Sequence, residues 1–155
     1  AASGTVIPTL LKLLLDEPYF AKATPKSTGR ELFNGPWLEE KLHSLGMELL
    51  IADVQATLLH FTIDSIAEEI RKTAAPTEVY VCGGGAHNNA FMVGLQARLR
   101  DCKVVSTAEL GIDPDWVEAI AFAWMAKQTI EGHTIDSSPF TGAKQATVLG
   151  GIYKA

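Results

Sequence analysis

A chain of 155 residues, 47% of them hydrophobic and 20% charged, is long enough to bury one ordinary core and too apolar to stay disordered. Its 13 basic residues are scattered against 18 acidic ones, a net charge of −5, which argues against a nucleic-acid partner. Cys82 and Cys102 form no Cys-x-x-Cys or metal-ligand spacing, and the four histidines are dispersed, so a reducing, cytoplasmic setting and no protein-bound metal are expected.

The apolar run from Leu10 to Leu15 is broken by Lys12 and is far too short to cross a bilayer, and it lacks the basic front and cleavage site of a signal peptide. No membrane partner is expected. The chain opens at Ala1 without Met, as expected of a piece of a longer protein.

Val6, Leu10, Leu13 and Leu14 recur at helical spacing and predict a first helix over 5–16, closed by Asp16, Glu17 and Pro18. Between Thr24 and Gly35, two glycines with Pro25, Ser27, Thr28 and Asn34 predict an ordered loop. Pro36 then stands at the first position of a short helix that Gly46 ends. Asp53 is placed to cap a long helix reaching Thr73, with Leu59, Ile63, Ile66 and Ile70 on its apolar face and Pro76 behind it.

Glu78 to Cys82 reads as a strand, and Phe91, Met92, Leu95 and Leu99 as a helix with one buried face, despite Gly94, which costs about 1 kcal/mol relative to Ala. Lys103 to Ser106 is a second short strand, so strand, helix and strand form one parallel βαβ unit. Asp113, Pro114 and Asp115 open another helix, whose continuation from Ala119 to Ala126 is apolar all round and must therefore be covered on every side. Trp116 and Trp124 on that helix are expected in the core. Thr129 to Thr141 is expected as loop and Ala146 to Tyr153 as a closing helix. The class is α/β and helix-rich, with no hairpin signal and two strands, too few for a stable sheet, so the strands that complete it are expected outside this chain.

The run Val79, Tyr80, Val81, Cys82, Gly83, Gly84, Gly85, Ala86, His87, Asn88 carries the clearest chemical signal. Glycines at a strand-to-helix turn let a flat ligand approach the backbone more closely than any Cβ permits, and a helix N-terminus behind them favours negative charge. The spacing is not Gly-x-Gly-x-x-Gly, and no Lys-Ser or Lys-Thr pair follows to make a P-loop. From these residues alone, a nucleotide seat and a purely structural tight turn are both open. A dinucleotide-dependent enzyme is disfavoured by the missing fingerprint and by the lack of an acid ending the second strand.

Three further stretches, taken with that turn, carry a family resemblance. Pro25-Lys26-Ser27-Thr28-Gly29-Arg30-Glu31-Leu32-Phe33-Asn34, Gly111-Ile112-Asp113-Pro114-Asp115-Trp116-Val117-Glu118-Ala119 and Asp53-Val54-Gln55-Ala56-Thr57-Leu58 resemble the carboxy-terminal portion of the anhydro-N-acetylmuramic acid kinases, as does the ending from Thr141-Gly142-Ala143 to Val148-Leu149-Gly150. The resemblance spans nearly the whole chain. It implies an incomplete ribonuclease-H-like (actin-like ATPase) domain of the actin, Hsp70 and sugar-kinase superfamily: residues 1–155 would be the carboxy-terminal part of the second domain, with the amino-terminal domain absent.

The same resemblance implies ATP and Mg²⁺ as cofactors and a reaction with water that opens the 1,6-anhydro bridge of anhydro-N-acetylmuramic acid while phosphorylating O6, a step of cell-wall recycling. It implies a catalytic aspartate upstream of this chain, hence no catalytic residue here and no activity in isolation. The implied partners are the small-molecule sugar, the missing amino-terminal half and a second copy in a homodimer.

Residue by residue, Gly83, Gly84 and Gly85 match the family's adenosine-binding turn; Asn88 is expected to cap the following helix, with a contact to the nucleotide as its further role and capping alone as the alternative. Glu118 matches a substrate-binding glutamate facing the sugar; a structural role, bonding loop N–H groups or Arg30, stands beside it because an unpaired carboxylate on an apolar helix is costly. Lys26, Ser27, Thr28 and Arg30 form a loop that either reaches a phosphate or the lactyl carboxylate or is pinned by its own hydrogen bonds. His87 is expected on the solvent side of the turn, Cys82 in the core, and Asp113 and Asp115 as capping acids. The alternative function is a non-enzymatic interaction or oligomerisation module with a structural glycine turn.

Overall fold

The computed structural model describes residues 3–73 and 75–153. Residues 4–7 run extended before the first helix, α1 (Pro8–Leu15), which starts three residues later than expected. The backbone N–H groups that a longer helix would need are taken by the fold's longest helix: Thr5 donates to Asp53 Oδ1 at 2.7 Å and Ile7 to Thr57 Oγ1 at 2.9 Å. A one-turn α2 (Pro18–Ala21) and α3 (Gly35–Ser44) follow, the latter capped by Asn34, whose Oδ1 accepts from Trp37 N at 2.9 Å.

The long helix α4 (Ile51–Thr73) begins two residues before Asp53. Asp53 is therefore not its N-cap; it lies in the first turn, where its carboxylate accepts from Thr5 and complements the helix dipole. At 1.5 Å per residue α4 runs about 34 Å. Leu10 and Leu14 of α1 are fully buried, and α1 packs on α4.

Next come β1 (Glu78–Val81), a 3₁₀ turn over Gly83–His87, α5 (Asn89–Arg98) and β2 (Lys103–Ser106). The strands pair in parallel, Glu78 with Lys103, Val79 with Val104, Tyr80 with Val105 and Val81 with Ser106. The expected βαβ unit is there, though β1 stops at Val81 and Cys82 is exposed rather than in the core. Ile63 and Ala67 of α4, Phe91 and Leu95 of α5, then Leu99, Cys102 and Val104 form one buried cluster that fixes α5 between α4 and the sheet.

A second cluster is aromatic. Tyr19, Phe20, Phe33, Trp37 and Phe61 meet with ring centroids between 5.0 and 6.1 Å apart, several edge to face. They anchor the 24–35 loop on α4. Trp37 donates from Nε1 to Glu17 Oε2 at 2.9 Å, which gives its indole N–H the partner a half-buried tryptophan needs.

After β2, 3₁₀ turns at Thr107–Leu110 and Pro114–Trp116 lead into α6 (Val117–Ile130), and a one-turn α7 (Ser138–Thr141) interrupts the expected loop. No closing helix forms over 146–153. Thr147 instead pairs with Ile135 in a single antiparallel bridge, its N–H donating at 3.2 Å and its carbonyl accepting at 2.9 Å. Two β-branched residues followed by Gly150, at φ +86°, and Gly151 disfavour a helix there.

α6 departs most from expectation. Trp116 is 63% exposed and Trp124 52%, and Ile120, Phe122 and Ile130 are also exposed, so neither tryptophan is a core residue among the described residues. What touches α6 is the tail: Thr129 donates to the carbonyl of Leu149, beside a groove of about 540 Å³ lined by Phe122, Met125, Ala126, Ile130, Leu149 and Ile152. No helix among the described residues is long and apolar enough to cross a membrane.

Candidate site at the glycine turn

The carboxyl ends of β1 and β2 lie side by side, and the chain leaves β1 into three consecutive glycines. Such ends are where open α/β sheets receive ligands, because the loops there diverge. Gly83 takes φ +69°, a conformation that a side chain disfavours, so the backbone itself requires glycine at that position. Gly84 has no such need: its φ is not positive, and a Cβ placed on it would meet nothing within 4 Å. Neither strain nor packing inside this chain explains a glycine at 84. A Cβ on Gly85 would make only ordinary contacts with Phe91 and Val81, at 3.7 and 3.9 Å.

Asn88 caps α5, its Oδ1 accepting from Phe91 N at 3.1 Å. The side chain is thereby aimed at the helix and away from independent duty, while the first amides of α5 keep no intrahelical acceptor. Three glycines, two of them exposed, and the half-positive end of α5 leave backbone open to the approach of a flat ring and an attached phosphate.

The turn does not stand alone. It packs on the 3₁₀ turn that introduces α6, whose Pro114 is buried, and His87 Nε2 lies 2.8 Å from Asp115 Oδ1. Sequence reasoning left His87 facing solvent and Asp115 as a cap; the first is exposed as expected, but its partner was not foreseen, since 28 residues separate the two. Asp113 does cap, accepting from Asp115 N at 2.9 Å.

Glu118 stands exposed in the first turn of α6, three residues beyond Asp115. Its carboxylate has no hydrogen bond or ion pair among the described residues, so the expected bond to a loop N–H or to Arg30 is not made. It needs none here, because it is solvated and lies at the helix end where negative charge is favoured.

The Lys26 loop is pinned. Lys26 is 9% exposed, ion-paired to Glu69 of α4 at 2.9 Å, donating to the Phe20 carbonyl at 3.1 Å and lying over the Tyr19 ring. That contact holds the Glu69 carboxyl below the usual carboxylate range, with Lys72 assisting and partial burial opposing. Thr28 and the N–H of Gly29 both bond Glu31, whose carboxyl is held below its ordinary value first by its own backbone N–H, then by that of Gly29, with Thr28 adding less. Arg30 is exposed, with its guanidinium unpaired among the described residues. No group of three or more His, Cys, Asp and Glu side chains among the described residues is placed to hold a metal ion.

Comparison with known proteins gives one consistent result. The family model for anhydro-N-acetylmuramic acid kinase matches residues 1–155. Kinases of that name from Pseudomonas fluorescens, Shewanella pealeana and Pseudomonas syringae pv. tomato are 52%, 49% and 51% identical over 154, 155 and 156 residues, covering 99%, 100% and 100% of this chain. The chain spans 42 to 43% of the length of those proteins. It belongs to the anhydro-N-acetylmuramic acid kinase family.

Proposed function

We propose that residues 1–155 are the carboxy-terminal part of the second, actin-like domain of a cytoplasmic, homodimeric kinase, and that they seat its ATP. The relatives' name denotes a kinase of anhydro-N-acetylmuramic acid, and the reaction proposed here is phosphoryl transfer from ATP to that sugar, with water opening the anhydro bridge. The carrying observation is Gly84: like Gly35 it has neither a positive φ nor a neighbour within 4 Å of a Cβ to account for it, but it alone of the two stands between further glycines at the carboxyl end of β1. There the bare backbone is open to a group that arrives from outside.

Gly83, Gly84 and Gly85 would lie against the adenosine face, and Asn88 would fix the α5 end beside the α-phosphate. Bound there, the nucleotide would supply the transferable phosphoryl group, and Mg²⁺ would neutralise its charge. The described residues offer no acidic cluster for that metal, which would rest on the phosphates and on groups outside this chain. Glu118, unpaired and solvated at the start of α6, is free to accept hydrogen bonds from sugar hydroxyls. The aspartate that activates water would lie in the part that the longer relatives have and this chain does not span, so this chain alone should not turn over.

The test is a Gly84→Val variant of the full-length protein, assayed for ATP binding and for ATP-dependent phosphorylation of anhydro-N-acetylmuramic acid. Because a side chain at 84 meets nothing in the fold, thermal stability should hold while nucleotide binding and turnover vanish. Unchanged nucleotide binding would support the alternative, an interaction module with a merely structural turn. Turnover by residues 1–155 alone would refute the upstream placement of the catalytic aspartate.

A further inference from the structure

We infer that the His87–Asp115 pair is a positioning clasp that couples occupancy of the glycine turn to the placement of Glu118, so that nucleotide and sugar bind with mutual cooperativity. The inference rests on the functional reading above and adds a residue and a regulation to it.

The geometry is a continuous line. His87 closes the 3₁₀ turn Gly83–His87 and is the only one of its five residues with a polar side chain, so it is the only one able to tie the turn to anything by a side-chain hydrogen bond. Its Nε2 reaches Asp115 Oδ1 at 2.8 Å. A carboxylate only accepts, so Nε2 carries the proton. Asp115 is itself fixed, its N–H held by Asp113 Oδ1 at 2.9 Å, and next to it Pro114 is buried. Three residues later, less than one helical turn on, comes Glu118.

Stability does not explain the pair. The side chains are 60% and 59% exposed, and an exposed ion pair contributes little to folding. What the pair can do is transmit order. Three consecutive glycines occur nowhere else in the sequence, glycine leaves an unliganded backbone more conformations than a residue with a side chain, and a ligand seated on them must restrict that freedom. A turn fixed by nucleotide holds His87 still, which holds Asp115 and the entry of α6. The second ligand then meets a Glu118 already in place. By linkage the effect is reciprocal: sugar must tighten nucleotide by the same factor.

The experiment uses the full-length protein and measures the dissociation constant of anhydro-N-acetylmuramic acid by calorimetry with and without saturating ADP. ADP cannot transfer a phosphoryl group, so binding is read without turnover. The wild type should bind the sugar about 5-fold or more tightly with ADP present, the lower end of usual site-to-site coupling. His87→Ala and Asp115→Ala should each bring that ratio to below about 2-fold, and the double variant should be no worse than either single one.

His87→Gln, whose amide nitrogen falls close to the position of Nε2, should restore the ratio. A role confined to folding would lower the melting temperature in His87→Ala and leave the ratio intact. Coupling that survives in either His87→Ala or Asp115→Ala, or a wild type with no coupling, overturns the clasp while leaving the kinase assignment standing. A wild type that binds no ADP at all overturns the assignment itself, and the clasp with it.

Discussion

Gly94 of α5 lies against Ile63 of α4 so closely that a Cβ on residue 94 would overlap Ile63 Cδ1. Ile63 is 2% exposed and sits in the main buried cluster, so its terminal methyl has little room to withdraw. Glycine inside a helix costs about 1 kcal/mol relative to alanine, and at this crossing the close approach of two helices offsets that cost.

Gly94→Ala should therefore destabilise the protein by about 1 kcal/mol, overpacking of about 1–3 kcal/mol outweighing the gain in helix propensity. Ile63→Val, which deletes the offending methyl, should cost about 1 kcal/mol alone. Together the two should cost clearly less than their sum, because valine clears the space that alanine fills. Urea titration of the four proteins checks it, and strict additivity would contradict the steric account.

Thr57 is fully buried, and its hydroxyl works twice, accepting from Ile7 N at 2.9 Å and donating to the Asp53 carbonyl at 2.7 Å. Thr57→Val keeps the shape and strands the Ile7 N–H, a loss of about 1–3 kcal/mol. Thr57→Ser keeps the hydroxyl and should preserve the docking of residues 4–7. Hydrogen exchange at the Ile7 amide separates the two: fast in the valine variant, slow in the serine one.

Glu69 gives a pH dependence with a defined sign. Its carboxyl is held below the ordinary 4.5, chiefly by the hydrogen bond from Lys26. A depressed acid stabilises the fold at pH above its unfolded-state value, and that contribution is lost as pH falls through the lower folded value. Glu69→Gln should be less stable than the wild type at neutral pH, and the gap should close below pH 4.5. Denaturant midpoints across the acid range measure the gap, and a constant difference would rule out the ionised pair as its source.

Most of this architecture was legible where the signal is local. Helical spacing located α4 and α5, Pro36 and Gly46 bracketed α3, and the alternation to β-branched residues marked both strands within a residue. Misreadings arose where distant groups decide. Thr5 looks helical until Asp53, 48 residues away, takes its N–H; Asp53 looks like a cap for the same reason. Lys26 and Arg30 sit four apart in one motif, yet only contact with Glu69 and Tyr19 tells the pinned one from the free one. At the site, the glycines and the Asn88 cap were readable from type and order alone, whereas the His87–Asp115 contact depends on how two turns stack at the sheet's end.

The tail misled because an apolar helix was inferred from composition, while Gly150 and the Ile135–Thr147 bridge decided otherwise. α6 was read correctly as a helix and incorrectly as covered, and that mismatch carries a prediction of its own. Trp116, just ahead of α6, falls with Ile120 and Trp124 near one stripe at successive fourth positions, Ile130 comes back beside Trp116, and Phe122 lies on nearly the opposite side. A 14-residue helix exposing large apolar groups on two sides exceeds what a soluble surface normally carries, and the described residues cover only the tail-facing part. If the rest of the protein packs here, Trp116 and Trp124 should be shielded in the full-length molecule. Hydroxyl-radical footprinting would read this directly, with oxidation at both tryptophans expected at no more than about a tenth of that in the unfolded protein. Dilution adds the decisive arm: shielding by the same polypeptide persists at any concentration, whereas shielding by a second copy fades as the protein dissociates. Full reactivity in the concentrated protein would mean that α6 stays bare, and the idea that the remaining polypeptide completes this domain would fail with it.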